Sequence, residues 1–136
     1  FGVAIQVKGG EITEEAGTIQ ADVPLNKDID KMSLEELLLV LLGTNRLASA
    51  KGISPALVSV DKETETLLSG TVKEYSVRID TQERRIEHDC VDFRTNRAKA
   101  RLFCKHLGAF LYGTEPAKAV RLLRGLLRKR DHWVFE

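Results

Sequence analysis

Ile86-Glu87-His88-Asp89-Cys90 and, thirteen residues further on, Cys104-Lys105-His106-Leu107-Gly108-Ala109-Phe110-Leu111-Tyr112 are the two stretches on which the reading of this chain turns. In the first, Ile86, His88 and Cys90 hold alternate positions, so on a strand their side chains share one face. In the second, Cys104 and His106 open an apolar run that reads as a helix ended by Gly113. The chain has two cysteines and three histidines, and both cysteines and two histidines fall into the mirrored pairs H-x-C and C-x-H. Four nitrogen and sulfur donors in two close pairs are what a closed tetrahedral zinc site requires. His88, Cys90, Cys104 and His106 are therefore the candidate ligands, and Zn2+ is the expected cofactor. The bland alternative is two buried free cysteines beside two incidental histidines. The pairing consumes every cysteine in the chain, which favours metal.

Working outward, Asp89 points away from the other two and reads as a solvent-facing charge. Cys104 and His106 at a helix N-terminus gain from the positive end of the macrodipole, which favours thiolate. Upstream, Ala56–Val60 reads as a strand and 61–65 as a polar turn. Residues 67–80 read as one long strand with a bulge near Ser69-Gly70. In it Tyr75, Val77 and Ile79 share one face, and Glu74, Ser76 and Arg78 the other. Downstream, Thr114 is the expected N-cap and Pro116 a first-turn residue of a helix reaching about Arg130.

The N-terminal part divides at the capping box Ser33-Leu34-Glu35-Glu36. A helix is expected over 34–42, apolar almost all round and so buried. Gly43 is a stop or a kink, and a second short helix from Thr44 ends at Gly52. Before it, residues 1–24 read as a β-hairpin or short meander, followed by a polar loop over 26–31. The expected organisation is residues 1–52 as hairpin plus buried helix, 53–113 as the zinc module, and 114–136 as a basic helix and tail, all in one compact unit. The fold class is α+β: a small antiparallel sheet with helices, and the metal site between a strand end and a helix N-terminus.

The Tyr-x-Val-x-Ile strand, the ligand pair on the next strand, the variable loop and the Cys-Lys-His that opens an apolar helix together resemble the SWIM zinc-binding domain. That family's pattern is C-x-C, a variable spacer, then C-x-H. Cys90, Cys104 and His106 match its second, third and fourth ligands, and His88 stands at its first cysteine. The resemblance covers about 56–112. With two thiolates the zinc site is formally neutral, and zinc accepts Cys3His and Cys2His2 sets alike. The family association implies DNA binding or protein–protein assembly.

Composition bounds the rest. At 136 residues, 43% hydrophobic and 30% charged, this is one ordinary globular domain with a core that does not depend on a metal to form. No apolar run approaches the ~18 residues of a membrane span, so no membrane partner is expected. Two cysteines and no secretory signal point to an intracellular protein, cytoplasmic or nucleoid/nuclear. A start at Phe1 without Met is the expectation for a processed or trimmed product.

The net charge of +1 conceals an asymmetry: residues 1–68 carry 6 Lys+Arg against 11 Asp+Glu, residues 69–136 carry 15 against 9. Arg94, Arg97, Lys99, Arg101 and Lys105 lie between or beside the ligand pairs. Arg121, Arg124, Arg128, Lys129 and Arg130 follow on the C-terminal helix. These ten are the candidate contacts to nucleic acid, DNA or RNA. The alternatives are a solvated face paired with the acidic half, or an assembly adaptor in a protein or ribonucleoprotein complex whose helices dock on a partner. No enzyme activity and no small-molecule substrate are expected. A closed site leaves no position for a metal-bound water, no orienting partner accompanies Cys104 and His106, and the zinc-deaminase pattern is absent. His132 is left over beside Trp133 and Phe135. That aromatic pair either anchors the tail or meets a partner.

Overall fold

Ser33 starts the first long helix by a reciprocal cap: its hydroxyl accepts from the Glu36 amide at 3.2 Å, and the Glu36 carboxylate accepts from the Ser33 amide at 2.9 Å. In this computed structural model, which describes residues 28–136, helix α1 spans Leu34–Lys51. The hairpin expected over 1–24 lies outside the described residues. Gly43 breaks α1 at φ 80°, ψ 171°, backbone that side-chain-bearing residues rarely adopt. The stop-or-kink alternative thus resolves as a kink, with the helix resuming at once and ending at Gly52.

A five-stranded sheet follows: β1 (Val58–Glu63), β2 (Leu67–Val72), β3 (Tyr75–Asp80), β4 (Arg85–His88) and β5 (Val134–Phe135), in that spatial order. The first four pair antiparallel, and β5 adds parallel to β4. The α+β class holds, with helices α2 (Lys105–Tyr112) and α3 (Pro116–Arg128) completing it.

Several boundaries differ from the sequence reading. Strand β1 begins at Val58 because Ser54 caps a 3-10 turn over Pro55–Leu57, and it continues to Glu63 where a turn was expected. The single strand expected over 67–80 is a hairpin. Lys73 and Glu74 form its turn, with Lys73 at φ 58°. The bulge falls in β1 between Val60 and Lys62, and not at Gly70. Gly70 pairs regularly, opposite Val60 and Val77. A Cβ there would overlap the Ser59 carbonyl and lie 2.9 Å from the Phe110 ring. Gly70 is needed for close approach. Glu115, and not Thr114, holds the N-cap position of α3. Thr114 is buried, and its hydroxyl donates to the Leu111 carbonyl at 2.8 Å.

One core joins all of this. Leu37, Leu38 and Leu41 of α1 meet Leu107, Phe110 and Leu111 of α2, Leu123 and Leu126 of α3, and Ile79 and Ile86 of the sheet. The apolar all-round stretch of α1 is satisfied within the chain itself, as expected of such a helix. Among the described residues no helix is long and apolar enough to cross a membrane.

Candidate metal centre

The end of β4 and the start of α2 meet beneath the β2–β3 hairpin, and the four predicted ligands meet there. His88 closes β4, Cys90 lies two residues beyond it on the same side, Cys104 is the N-cap of α2, and His106 is in its first turn. All four are buried. One donor atom from each lies within 4.8 Å of every other.

Local hydrogen bonds orient the donors. The His88 Nδ1 sits 2.6 Å from the Ser76 carbonyl. A carbonyl oxygen only accepts, so Nδ1 carries the hydrogen and Nε2 keeps its lone pair. That Nε2 is buried without any hydrogen-bond partner, and so is Nδ1 of His106. Buried polar atoms are rarely left unmatched. Two in one cluster, beside two sulfurs, are the atoms that could hold a shared ion. The Cys90 and Cys104 sulfurs are 3.6 Å apart. That is far beyond a disulfide's ~2.05 Å and close enough to bind one ion. The Phe93 amide donates to the Cys90 sulfur at 3.4 Å, support of the kind that orients a ligating thiolate.

Burial also sets the electrostatics. It pushes the Cys104 thiol up to about 12, against the lowering pull of the Leu107 backbone hydrogen bond. The expected helix-end stabilisation of thiolate is therefore present but outweighed in the ion-free protein. A cation at the site reverses this, since a coordinating thiol is deprotonated outright. Burial lowers His88, and it lowers His106 to about 4, with His88, Lys105 and Lys73 adding to the effect on His106. Both imidazoles are held neutral, the form that ligates.

The walls are aromatic. The Tyr75 ring lies 4.8 Å from that of His106, and Phe93 5.6 Å edge-on from His88. Asp89 is exposed as expected, though its carboxylate accepts from the Ser76 amide at 2.8 Å and so ties the far side of the ligand strand to β3. The connection between the pairs, read as a loop, contains a π-helical turn over Phe93–Arg97. Arg46 of α1 clamps it through a two-pronged pair with Asp92, at 3.0 and 3.1 Å. Arg46 and Asp92 were not singled out in the sequence, and Tyr75 and Ser76 were read only as strand residues on opposite faces, because each acts through a partner remote in the chain.

The predicted basic residues separate into two groups. Arg97 donates to the carbonyls of Phe103, Leu41 and Leu42. Arg101 donates to the carbonyls of Arg130 and Trp133, and lies 5.9 Å over the Phe135 ring. Arg121 pairs with Glu65, Arg124 donates to the Met32 carbonyl, and Arg128 pairs with Asp30. Arg94, Lys99, Lys105 and Lys129 are exposed and make no ion pair among the described residues, and neither does half-buried Arg130. In the tail, Trp133 is buried and Phe135 stacks 6.4 Å from Phe93. The aromatic pair anchors the C-terminus, and His132 stays exposed and outside the cluster.

The chain matches no family model, no curated protein and no solved structure.

Proposed function

We propose that this chain is a SWIM-like zinc module in which the ion has a structural and non-catalytic role, and that the module binds nucleic acid through the basic segment the ion holds in place. The observation that carries the zinc reading is the convergence of two buried, unpartnered imidazole nitrogens with two sulfurs 3.6 Å apart. Two thiolates on one tetrahedral zinc, at ~2.3 Å each, would sit about 3.8 Å apart, so little movement is needed. Four protein donors fill a tetrahedral shell and leave no open position for water or substrate, which supports a non-catalytic role. Two thiolates and two imidazoles favour zinc over the hard cations calcium and magnesium.

The nucleic-acid part rests on charge: from Phe93 to Arg130 there are 11 Lys+Arg and one acid, Glu115. The adaptor alternative gains no support from α1 or α3, whose leucines face the chain's own core. Cobalt(II) substitution tests the ligand set. Intense visible bands of a tetrahedral site with thiolate charge transfer are expected, weakened on Cys90→Ser. A pale octahedral spectrum would count against it.

A further inference from the structure

The ten basic residues expected to meet nucleic acid are not equivalent. Arg97, Arg101, Arg121, Arg124 and Arg128 are all committed to carbonyls or carboxylates of the chain itself. Of the rest, Lys129 and Arg130 lie beyond the C-terminal end of α3, and Lys99 lies in the turn that follows the π-helical segment. Three exposed cations, unpaired among the described residues, are instead tied to the walls of the metal centre. Lys105 stands between the ligands Cys104 and His106. Arg94 follows wall residue Phe93, and its amide donates to the carbonyl of Cys90 at 3.1 Å. Lys73 forms the β2–β3 turn, two residues before Tyr75, whose ring lies 4.8 Å from that of His106. Half-buried Tyr75 lies beside them with its ring on His106.

We propose that the phosphate-binding face of this protein is the rim of the metal centre, formed by Lys73, Arg94 and Lys105, and not the C-terminal helix. The inference rests on the nucleic-acid reading above and narrows it. Acids near the rim do not cancel it. Asp92 is paired with Arg46, while Asp89, which accepts from the neutral Ser76 amide, and Glu74 in the Lys73 turn stay exposed and charged, so three cations stand against two carboxylates. Lysines dominate the rim. They act as point charges and not as bidentate forks, so the face suits a phosphodiester backbone with little discrimination among bases. The metal holds the two chain segments that carry Arg94 and Lys105, so the spacing of the cations depends on it.

The test compares three proteins by fluorescence anisotropy against labelled random-sequence single strands and duplexes over a salt series. They are the wild type, Lys73→Gln/Arg94→Gln/Lys105→Gln, and Arg121→Gln/Arg128→Gln. The rim variant is expected to lose about tenfold or more in affinity, with the slope of log K against log salt falling by about 2–3. The helix variant is expected to stay within about twofold of wild type. A larger or equal loss in the helix variant would overturn the placement and leave the nucleic-acid reading standing. Wild-type protein that binds neither probe would overturn both. Zinc content is measured on each variant. If the rim variant loses its metal, Lys73→Gln/Arg94→Gln, which keeps Lys105 between the second pair of ligands, decides the matter by the same comparison, with the slope expected to fall by about 2.

Discussion

The guanidinium of Arg97 donates to the carbonyl of Leu41 at 3.1 Å, across 56 positions of sequence. That carbonyl also accepts the Phe103 amide at 3.0 Å, one residue before the candidate ligand Cys104. The same guanidinium reaches the Leu42 carbonyl at 3.2 Å and the Phe103 carbonyl at 2.9 Å. The break at Gly43 strips the first half of α1 of helical partners for its last carbonyls. A cation at that end supplies them and complements the dipole. The segment between the two ligand pairs is thereby fastened to the kink of the N-terminal helix.

Removing that link is expected to be costly. Arg97→Met removes the side-chain donor from the Leu42 and Phe103 carbonyls and leaves the Leu41 carbonyl with the Phe103 amide alone, with a loss of about 2–3 kcal/mol in urea unfolding. Arg97→Lys should recover only part of it, since an ammonium lacks the planar fork. A loss below about 0.5 kcal/mol in Arg97→Met would show that water replaces the guanidinium without penalty.

Gly70→Ala isolates the packing of α2 on the sheet. The added methyl would overlap the Ser59 carbonyl across β1 and press on the Phe110 ring, 2.9 Å away. Backbone of a paired strand cannot easily retreat, so destabilisation of about 3 kcal/mol is expected. A melting temperature equal to wild type would mean that β1 shifts freely at its bulge.

Acid should destabilise the metal-free protein through its imidazoles. Burial lowers His88, and it lowers His106 from 6.5 to about 4. Between those values the unfolded chain binds protons that the folded chain does not, so stability present above the unfolded pKa is lost as pH falls toward the folded one. Thermal melts of chelator-treated protein across that window should show a falling melting temperature, less steep in His106→Gln. A flat profile would indicate that the imidazoles are not held neutral by the fold.

The site was legible because its information is local. His88 closes a strand and Cys90 lies two residues past its end, Cys104 and His106 flank a helix start, and the Ser33–Glu36 box marks α1 without reference to any other segment. What stayed hidden depends on distant partners or on backbone that the residue type does not announce. Lys73 takes the left-handed conformation with no glycine or asparagine to signal the turn, so two strands read as one. Gly70 looks like a bulge signal until Phe110 arrives from α2. Arg97 and Arg101 read as surface charge because the carbonyls they satisfy belong to α1 and to the C-terminal tail. The pairing of Val134–Phe135 beside β4 is invisible for the same reason, since a two-residue strand carries no periodicity.

The most direct test of the central claim is the metal content, by mass spectrometry, of protein purified without a metal-binding tag, alongside Cys90→Ser/Cys104→Ser. The four-ligand site predicts one zinc per chain in the wild type and none in the variant. Wild-type protein that carries no zinc and takes up none on addition, or a double variant that retains it, would contradict the site as described.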